Sequence, residues 1–106
     1  MDDNILKELK KYSYKVNTSK LDKNLVSNCK YKVGKYNYGA VINKLLGAVI
    51  IYEVYSFVIN ETNSETVSLL LYKQFNNKNE ASKYYEYLAN LLGHKDINYL
   101  LEICKK

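Results

Sequence analysis

The chain of 106 residues contains no arginine, no proline and no tryptophan, and only four glycines and two cysteines. Without arginine it lacks the guanidinium fork that proteins often use to bind phosphates and carboxylates through two hydrogen bonds. The glycines form neither a phosphate-binding loop nor a dinucleotide fingerprint. Cys29 and Cys104 lack the Cys-x-x-Cys and Cys-x-x-His spacings of zinc and redox centres. These absences predict a protein without a metal or a cofactor.

The scarcity of reactive groups also predicts that the protein is not an enzyme. The single histidine, His94, follows Gly93 at an expected junction between helices, and no motif brings a nucleophile or an acid to it. Glu53 is the one acid in an apolar segment, and we expect it to pair with Lys73 across two strands. The two cysteines are expected to be reduced and mostly buried. A disulfide between them is the alternative, because their separation in sequence does not determine their distance in space.

No segment predicts a membrane span or a secretion signal. The most apolar run, residues 45–59, has 15 residues and contains Glu53, whereas a transmembrane helix needs about 20 apolar residues. The first residues, Met1 to Asn4, are acidic, whereas a signal peptide begins with positive charges. We therefore expect a cytoplasmic protein that does not contact a membrane.

Lysine, asparagine and tyrosine are abundant instead. All 16 basic residues are lysines, and they exceed the 11 acids to give a net charge of +5. These three residue types have AT-rich codons, so part of the basicity reflects base composition. The length and the 47% apolar content favour one folded domain over residues 1–106.

Apolar periodicity predicts elements in the order α, β, β, α, β, β, α, α. Spacings of three and four predict a helix over residues 3–11 and another over 38–46, the second with a strand as the alternative. Alternation predicts strands near 12–16 and 29–33, with a loop and a helical turn near 21–26 between them.

The clearest pair of elements is an antiparallel hairpin of strands over about 48–59 and 66–75. Its predicted register places Phe57 opposite Leu69 and Glu53 opposite Lys73. After it, Asn77 and Glu80 predict a capped helix that ends at Gly93, and Asp96 caps a last helix with a buried face of Ile97, Leu100, Leu101 and Cys104. The prediction is an α+β fold: one compact domain with a small antiparallel sheet around this hairpin, packed by helices of which two are C-terminal.

The lysines concentrate in the first half of the chain. Residues 1–46 contain ten lysines and four acids, and residues 47–106 contain six lysines and seven acids, an asymmetry that base composition does not explain. If the first two strands pair, their lysines form a patch that attracts phosphates, with two tyrosines beside it that could stack on bases. The candidate basic surface comprises Lys15, Lys20, Lys23, Lys30, Lys32, Lys35, Tyr36 and Tyr38. Tyr12, Tyr14 and Tyr31 are expected in the core instead.

Two functions fit these patterns. The first is a small protein-binding module, such as a phage or mobile-element accessory protein or an anti-defence inhibitor, that binds a larger protein or a nucleoprotein complex. Small size, composition and many tyrosines favour it, although no motif does. The alternative is a nucleic-acid-binding protein that contacts RNA or single-stranded DNA through residues 15–38. The sequence predicts neither the partner's identity nor the oligomeric state.

Overall fold

The computed structural model describes residues 3–18, 25–93 and 97–105. Its helices and strands follow the order α1 (Asp3–Lys10), β1 (Tyr14–Asn17), β2 (Leu25–Val33), β3 (Tyr36–Leu45), β4 (Ile51–Asn60), β5 (Asn63–Phe75), α2 (Lys78–Leu92) and α3 (Ile97–Lys105). The five described strands form one antiparallel sheet in the order β1-β5-β4-β3-β2. The α+β class and the two C-terminal helices are therefore confirmed. None of the described helices is long and apolar enough to cross a membrane.

The described helices lie on one face of the sheet, which we call the first face. Helix α2 packs across β3, β4 and β5, and α1 packs against α3. Burial of their apolar side chains against those of the sheet forms the main core, and each fully buried aliphatic side chain contributes about 1.5–3 kcal/mol. Fully buried members include Leu9, Leu88, Leu92, Ile97 and Leu100 from the helices and Ile42, Val54, Val58 and Leu70 from the strands.

The predicted cap of α2 is confirmed. The side-chain oxygen of Asn77 accepts hydrogen bonds from the backbone N–H groups of Asn79 at 2.8 Å and Glu80 at 3.2 Å. These N–H groups have no partner within the helix, so the cap stabilises its first turn. The helix ends as predicted before Gly93, whose N–H donates to the carbonyl of Ala89. The proposed cap at Asp96 lies outside the described residues.

The helix predicted over residues 38–46 is wrong and the strand alternative is confirmed, because residues 38–45 belong to strand β3. Tyr38 and Ile42 belong to the core under the helices, whereas Val41 packs with the cluster on the opposite face. A central strand that carries apolar side chains on both faces loses the usual polar and apolar alternation. Its apolar residues then also occur at the spacings of three and four that are typical of a helix.

The predicted hairpin forms, but half of its register is wrong. Phe57 lies opposite Leu69 as predicted, whereas Glu53 lies opposite Gln74 instead of Lys73. A bulge in β5 shifts the pairing by one residue, and Leu71 at the bulge has a left-handed φ of 55°. A one-residue shift moves a side chain to the other face. Lys73 accordingly lies on the first face, with Nζ 4.8 Å from the ring centroid of Tyr84.

Three other expectations differ from the structure at exposed positions. Strand β4 begins at Ile51 rather than at residue 48, so Val49 lies in a loop. Tyr12 and Tyr14, expected in the core, are 43% and 66% exposed. Tyr31 is partly buried against the main core, in agreement with its prediction.

Candidate binding surfaces

The sheet order divides the predicted basic surface. Strands β1 and β2 lie at opposite edges of the sheet, so the assumption that they pair is wrong. Lys15 is in register with Ser68 and Val58 on the first face, beside Leu6 of α1. Lys30 is in register with Gly39 and Phe57 on the opposite side, which we call the second face. Lys15 therefore cannot form one patch with Lys30.

Two further lysines lie near Lys30 at the same edge of the sheet. Lys32 shares the second face with Lys30, and its Nζ lies 2.9 Å from Oε1 of Glu61. The hydrogen bond from Lys32 lowers the pKa of Glu61, which keeps this pair ionised. Lys35 lies in the turn between β2 and β3, where its carbonyl accepts from the N–H of Glu61 at 2.8 Å. Lys20 and Lys23 lie outside the described residues.

The tyrosines of the predicted surface are not available for stacking. Tyr36 and Tyr38 are only 1% and 2% exposed and belong to the main core. The ring centroid of Tyr38 lies 5.7 Å from that of Tyr31, on the neighbouring strand β2. The proposed role in base stacking is therefore wrong. The signal was present, since Tyr36 and Tyr38 alternate in step with Ala40 and Ile42 along a strand.

A second apolar cluster covers the second face of the sheet. Its buried members are Tyr55, Phe57, Val67 and Leu69, and Val16, Val41 and Ile59 pack against them. No residue of the three described helices belongs to this cluster. The second face is therefore a separate apolar surface built from β1, β3, β4 and β5.

Glu53 is held on this face by uncharged donors. The hydroxyl of Tyr72 donates to Oε1 of Glu53 at 2.6 Å, and Nδ2 of Asn43 donates to Oε2 at 3.2 Å. Nε2 of Gln74 in turn donates to the Tyr72 hydroxyl at 2.9 Å. Burial and the bond to Glu53 raise the pKa of Tyr72 to about 12. This network replaces the predicted Glu53–Lys73 ion pair, and the bulge in β5 places its tyrosine.

A pocket of about 180 Å³ opens beside this network. Its apolar wall is formed by Val41, Phe57, Ile59 and Val67, and its polar lining includes Asn28, Lys30 and Asn43. Asn43 is 1% exposed, and its Oδ1 is buried without a hydrogen-bond partner among the described residues. Sequence reasoning missed Asn43 because it placed this residue in a helix.

The loop between β3 and β4 forms a second unpredicted surface. Its five residues, 46–50, are all exposed, and none is charged or carries a polar side chain. Leu46 and Val49 are each 66% exposed and Ile50 is 47% exposed. We call this loop the hairpin tip; it joins β3 to β4 and is not part of the predicted β4–β5 hairpin. Exposed Leu25 lies at the same end of the sheet, because it pairs with Asn43 near the end of β3.

The described residues offer little for metal or thiol chemistry. They contain no group of three or more His, Cys, Asp or Glu residues that could hold a metal ion. Cys29 and Cys104 are both free and partly buried. Burial raises the pKa of Cys104 to about 11, so little of this thiol is in the reactive thiolate form near neutral pH.

Comparisons with known protein families, with curated proteins and with solved structures found no match. Function must therefore be inferred from the surfaces of this chain itself.

Proposed function

We propose that the protein is a non-enzymatic module that binds a larger protein through its hairpin tip. The exposed apolar side chains of Leu46, Val49 and Ile50 carry this proposal. Contiguous exposed apolar residues commonly mark a surface that a partner covers. The two strands that carry the tip hold it in place, since β3 and β4 pair without a break from Tyr36–Asn60 to Leu45–Ile51.

The exposed apolar side chains of the tip can supply part of the binding free energy of a complex. Full burial of an aliphatic side chain contributes about 1.5–3 kcal/mol. With exposures of 66%, 66% and 47%, covering the three tip side chains contributes about 3–5 kcal/mol in total. This corresponds to a factor of roughly 140–4,000 in affinity. Since association itself costs at least several kcal/mol, the partner must also contact further surface, for which Leu25 at the same end of the sheet is available.

The proposal includes the kind of protein as well as the surface. We propose an accessory or inhibitory protein of a phage or mobile element that acts in the cytoplasm on a larger protein or nucleoprotein complex. This proposal is supported by the small size of the chain and by its abundance of lysine, asparagine and tyrosine, which have AT-rich codons. Direct binding of RNA or single-stranded DNA has weaker support, because Tyr36 and Tyr38 are buried and Lys15 is separated from Lys30.

The test is affinity capture with a photo-crosslinking residue at position 49, followed by binding measurements with the purified partner. The partner should bind the wild type, and the triple variant Leu46→Ser/Val49→Ser/Ile50→Ser should bind at least 100-fold more weakly by calorimetry. All three side chains are exposed, so the variant should keep the thermal stability of the wild type.

A matched control removes three exposed apolar side chains elsewhere, in the variant Tyr12→Ser/Tyr14→Ser/Tyr87→Ser. It should bind the partner as the wild type does. Equal weakening in both variants would contradict a specific role of the tip. Self-association of the wild type that the tip substitutions abolish would assign the tip to a dimer interface instead, and crosslinking to nucleic acid alone would favour the alternative function.

A further inference from the structure

We propose that the pocket on the second face binds a small aromatic carboxylic acid that carries a hydroxyl group. The pocket lies on the second face of the sheet and none of residues 46–50 lines it, so the proposal does not depend on protein binding by the hairpin tip. Three properties of the pocket specify this ligand: its volume and apolar wall, and, among the described residues, a buried acceptor without a partner and an ammonium group outside any ion pair.

The volume and wall of the pocket suit a single aromatic ring. An apolar cavity of about 150 Å³ takes up benzene, and this pocket measures about 180 Å³, which leaves room for substituents. Val41, Ile59 and Val67 provide aliphatic contacts, and Phe57 provides an aromatic one. Apolar walls with a few polar groups are typical of small-molecule sites.

The unpartnered oxygen of Asn43 specifies a hydrogen-bond donor on the ligand. Nδ2 of Asn43 donates to Glu53 at 3.2 Å and lies 3.4 Å from the hydroxyl of Tyr55. These contacts fix which end of the amide is the oxygen, because the carboxylate of Glu53 accepts only. Oδ1 is left buried and without a partner in the described part of the chain. A buried acceptor without a donor is costly. Because Oδ1 has no accessible surface, the wall of the pocket must open slightly for a ligand hydroxyl to reach it and remove that cost.

The ammonium of Lys30 specifies an anionic group. Lys30 is exposed and lines the pocket. The ion pairs within the described residues are Lys11–Glu8 and Lys32–Glu61, so none involves Lys30. The residue that pairs with Lys30 on the neighbouring strand β3 is Gly39, which has no side chain to separate Lys30 from the pocket. A carboxylate on the ring can therefore form a charge-assisted hydrogen bond with Lys30.

The test is a titration of ¹⁵N-labelled protein with 3-hydroxybenzoate and 4-hydroxybenzoate, followed by amide chemical shifts. At least one isomer should bind saturably and shift the signals of Val41, Asn43 and Phe57. Benzoate lacks the donor and phenol lacks the carboxylate, so each should bind at least tenfold more weakly. In an Asn43→Leu variant the preference for hydroxybenzoate over benzoate should disappear. If that variant does not fold, the two ligands compared on the wild type still test the donor.

The matched control for Lys30→Gln is Lys32→Gln. Both lysines are exposed on β2 and on the same face, but Lys32 pairs with Glu61 and does not line the pocket. Lys30→Gln should weaken hydroxybenzoate binding at least tenfold, and Lys32→Gln should leave it within twofold. The proposal is refuted by no saturable binding, by shifts confined to residues outside the pocket, or by equal effects of the two lysine substitutions.

Discussion

Replacement of Gly39 by alanine should strongly destabilise the protein. Gly39 lies in β3 opposite Lys30 of the edge strand β2. A Cβ atom at this position would lie deep inside van der Waals contact of the carbonyl oxygen of Cys29, 2.9 Å from its carbonyl carbon and 3.1 Å from Cα of Lys30. These obstructing atoms belong to the backbone, so no side-chain rotation can relieve the clash.

The size of the effect follows from two opposing contributions. One methyl group forced into a packed region costs about 1–3 kcal/mol and occasionally more, and a backbone obstacle favours the upper end. Alanine restricts the unfolded chain more than glycine does, which offsets about 0.4–1 kcal/mol. The net loss is about 2–3 kcal/mol of unfolding free energy, which lowers the melting temperature of a domain of this size by about 10–20 °C.

Two other glycines provide graded controls, measured by urea and thermal unfolding with circular dichroism. Gly34 has a φ of +59°, and a Cβ atom added there would meet open space, so alanine should cost about 1–2 kcal/mol through backbone strain alone. A Cβ atom added at Gly47 would have its nearest neighbour 3.8 Å away, so alanine should change the stability by less than about 0.5 kcal/mol. If Gly39→Ala unfolds within 2 °C of the wild type, or costs less than Gly34→Ala, the close approach of β2 to β3 is refuted.

Two further predictions concern Tyr72 and Asn77. In the unfolded chain Tyr72 loses its proton near pH 10, whereas in the folded protein its pKa of about 12 keeps the proton on. The free energy of unfolding should therefore fall between pH 10 and 12. Because the side chain is 40% exposed, solvent screening limits this fall to about 1 kcal/mol. In urea unfolding at pH 8 and pH 11, Tyr72→Phe should lose part of this pH dependence and Tyr14→Phe should retain it, and equal behaviour would contradict the assignment. Asn77→Ala should reduce the unfolding free energy by about 1 kcal/mol because it removes the cap of α2. The neighbouring substitution Asn76→Ala should change the unfolding free energy little. An equal loss in both variants would show that the cap is not the cause.

The helices and part of the hairpin could be predicted because their signals are local. The cap at Asn77 needs only the three residues that follow it, and the apolar stripe of α2 repeats at the helical period. The pairing of Phe57 with Leu69 follows from the alternation within two adjacent strands. Such signals survive in a single sequence because no distant residue has to be known.

The bulge in β5 could not be predicted from the sequence, and the central strand β3 could not be distinguished from a helix, because both depend on tertiary structure. Leu71 adopts a left-handed conformation that glycine or asparagine would ordinarily mark, so nothing in the sequence indicates a bulge there. In β3, Tyr38 and Val41 pack into clusters on opposite faces, with residues from parts of the chain that are remote in sequence. Local periodicity cannot distinguish such a strand from a buried helix.

The candidate surfaces were harder to predict because they depend on strand order. The sequence places Lys15 and Lys30 in neighbouring strands of the chain, but neighbours along the chain need not pair in the sheet. Strand β1 pairs with β5, which puts three strands between the two lysines. The pocket beside Asn43 arises from the same order, since it collects residues from the edge strand β2 and from β3, β4 and β5.

The pairing of β1 with β5 also has a consequence for the order of assembly during synthesis. Residues 3–17 emerge from the ribosome before the other described elements, yet α1 packs against α3 and β1 pairs with β5. The ribbon from β2 to β5 can form from neighbouring strands while the chain grows. The first segment must wait until residues 63–105 exist, and until then its apolar side chains stay uncovered. Closing such a long loop is slow, so the attachment of α1 and β1 is expected to complete the fold.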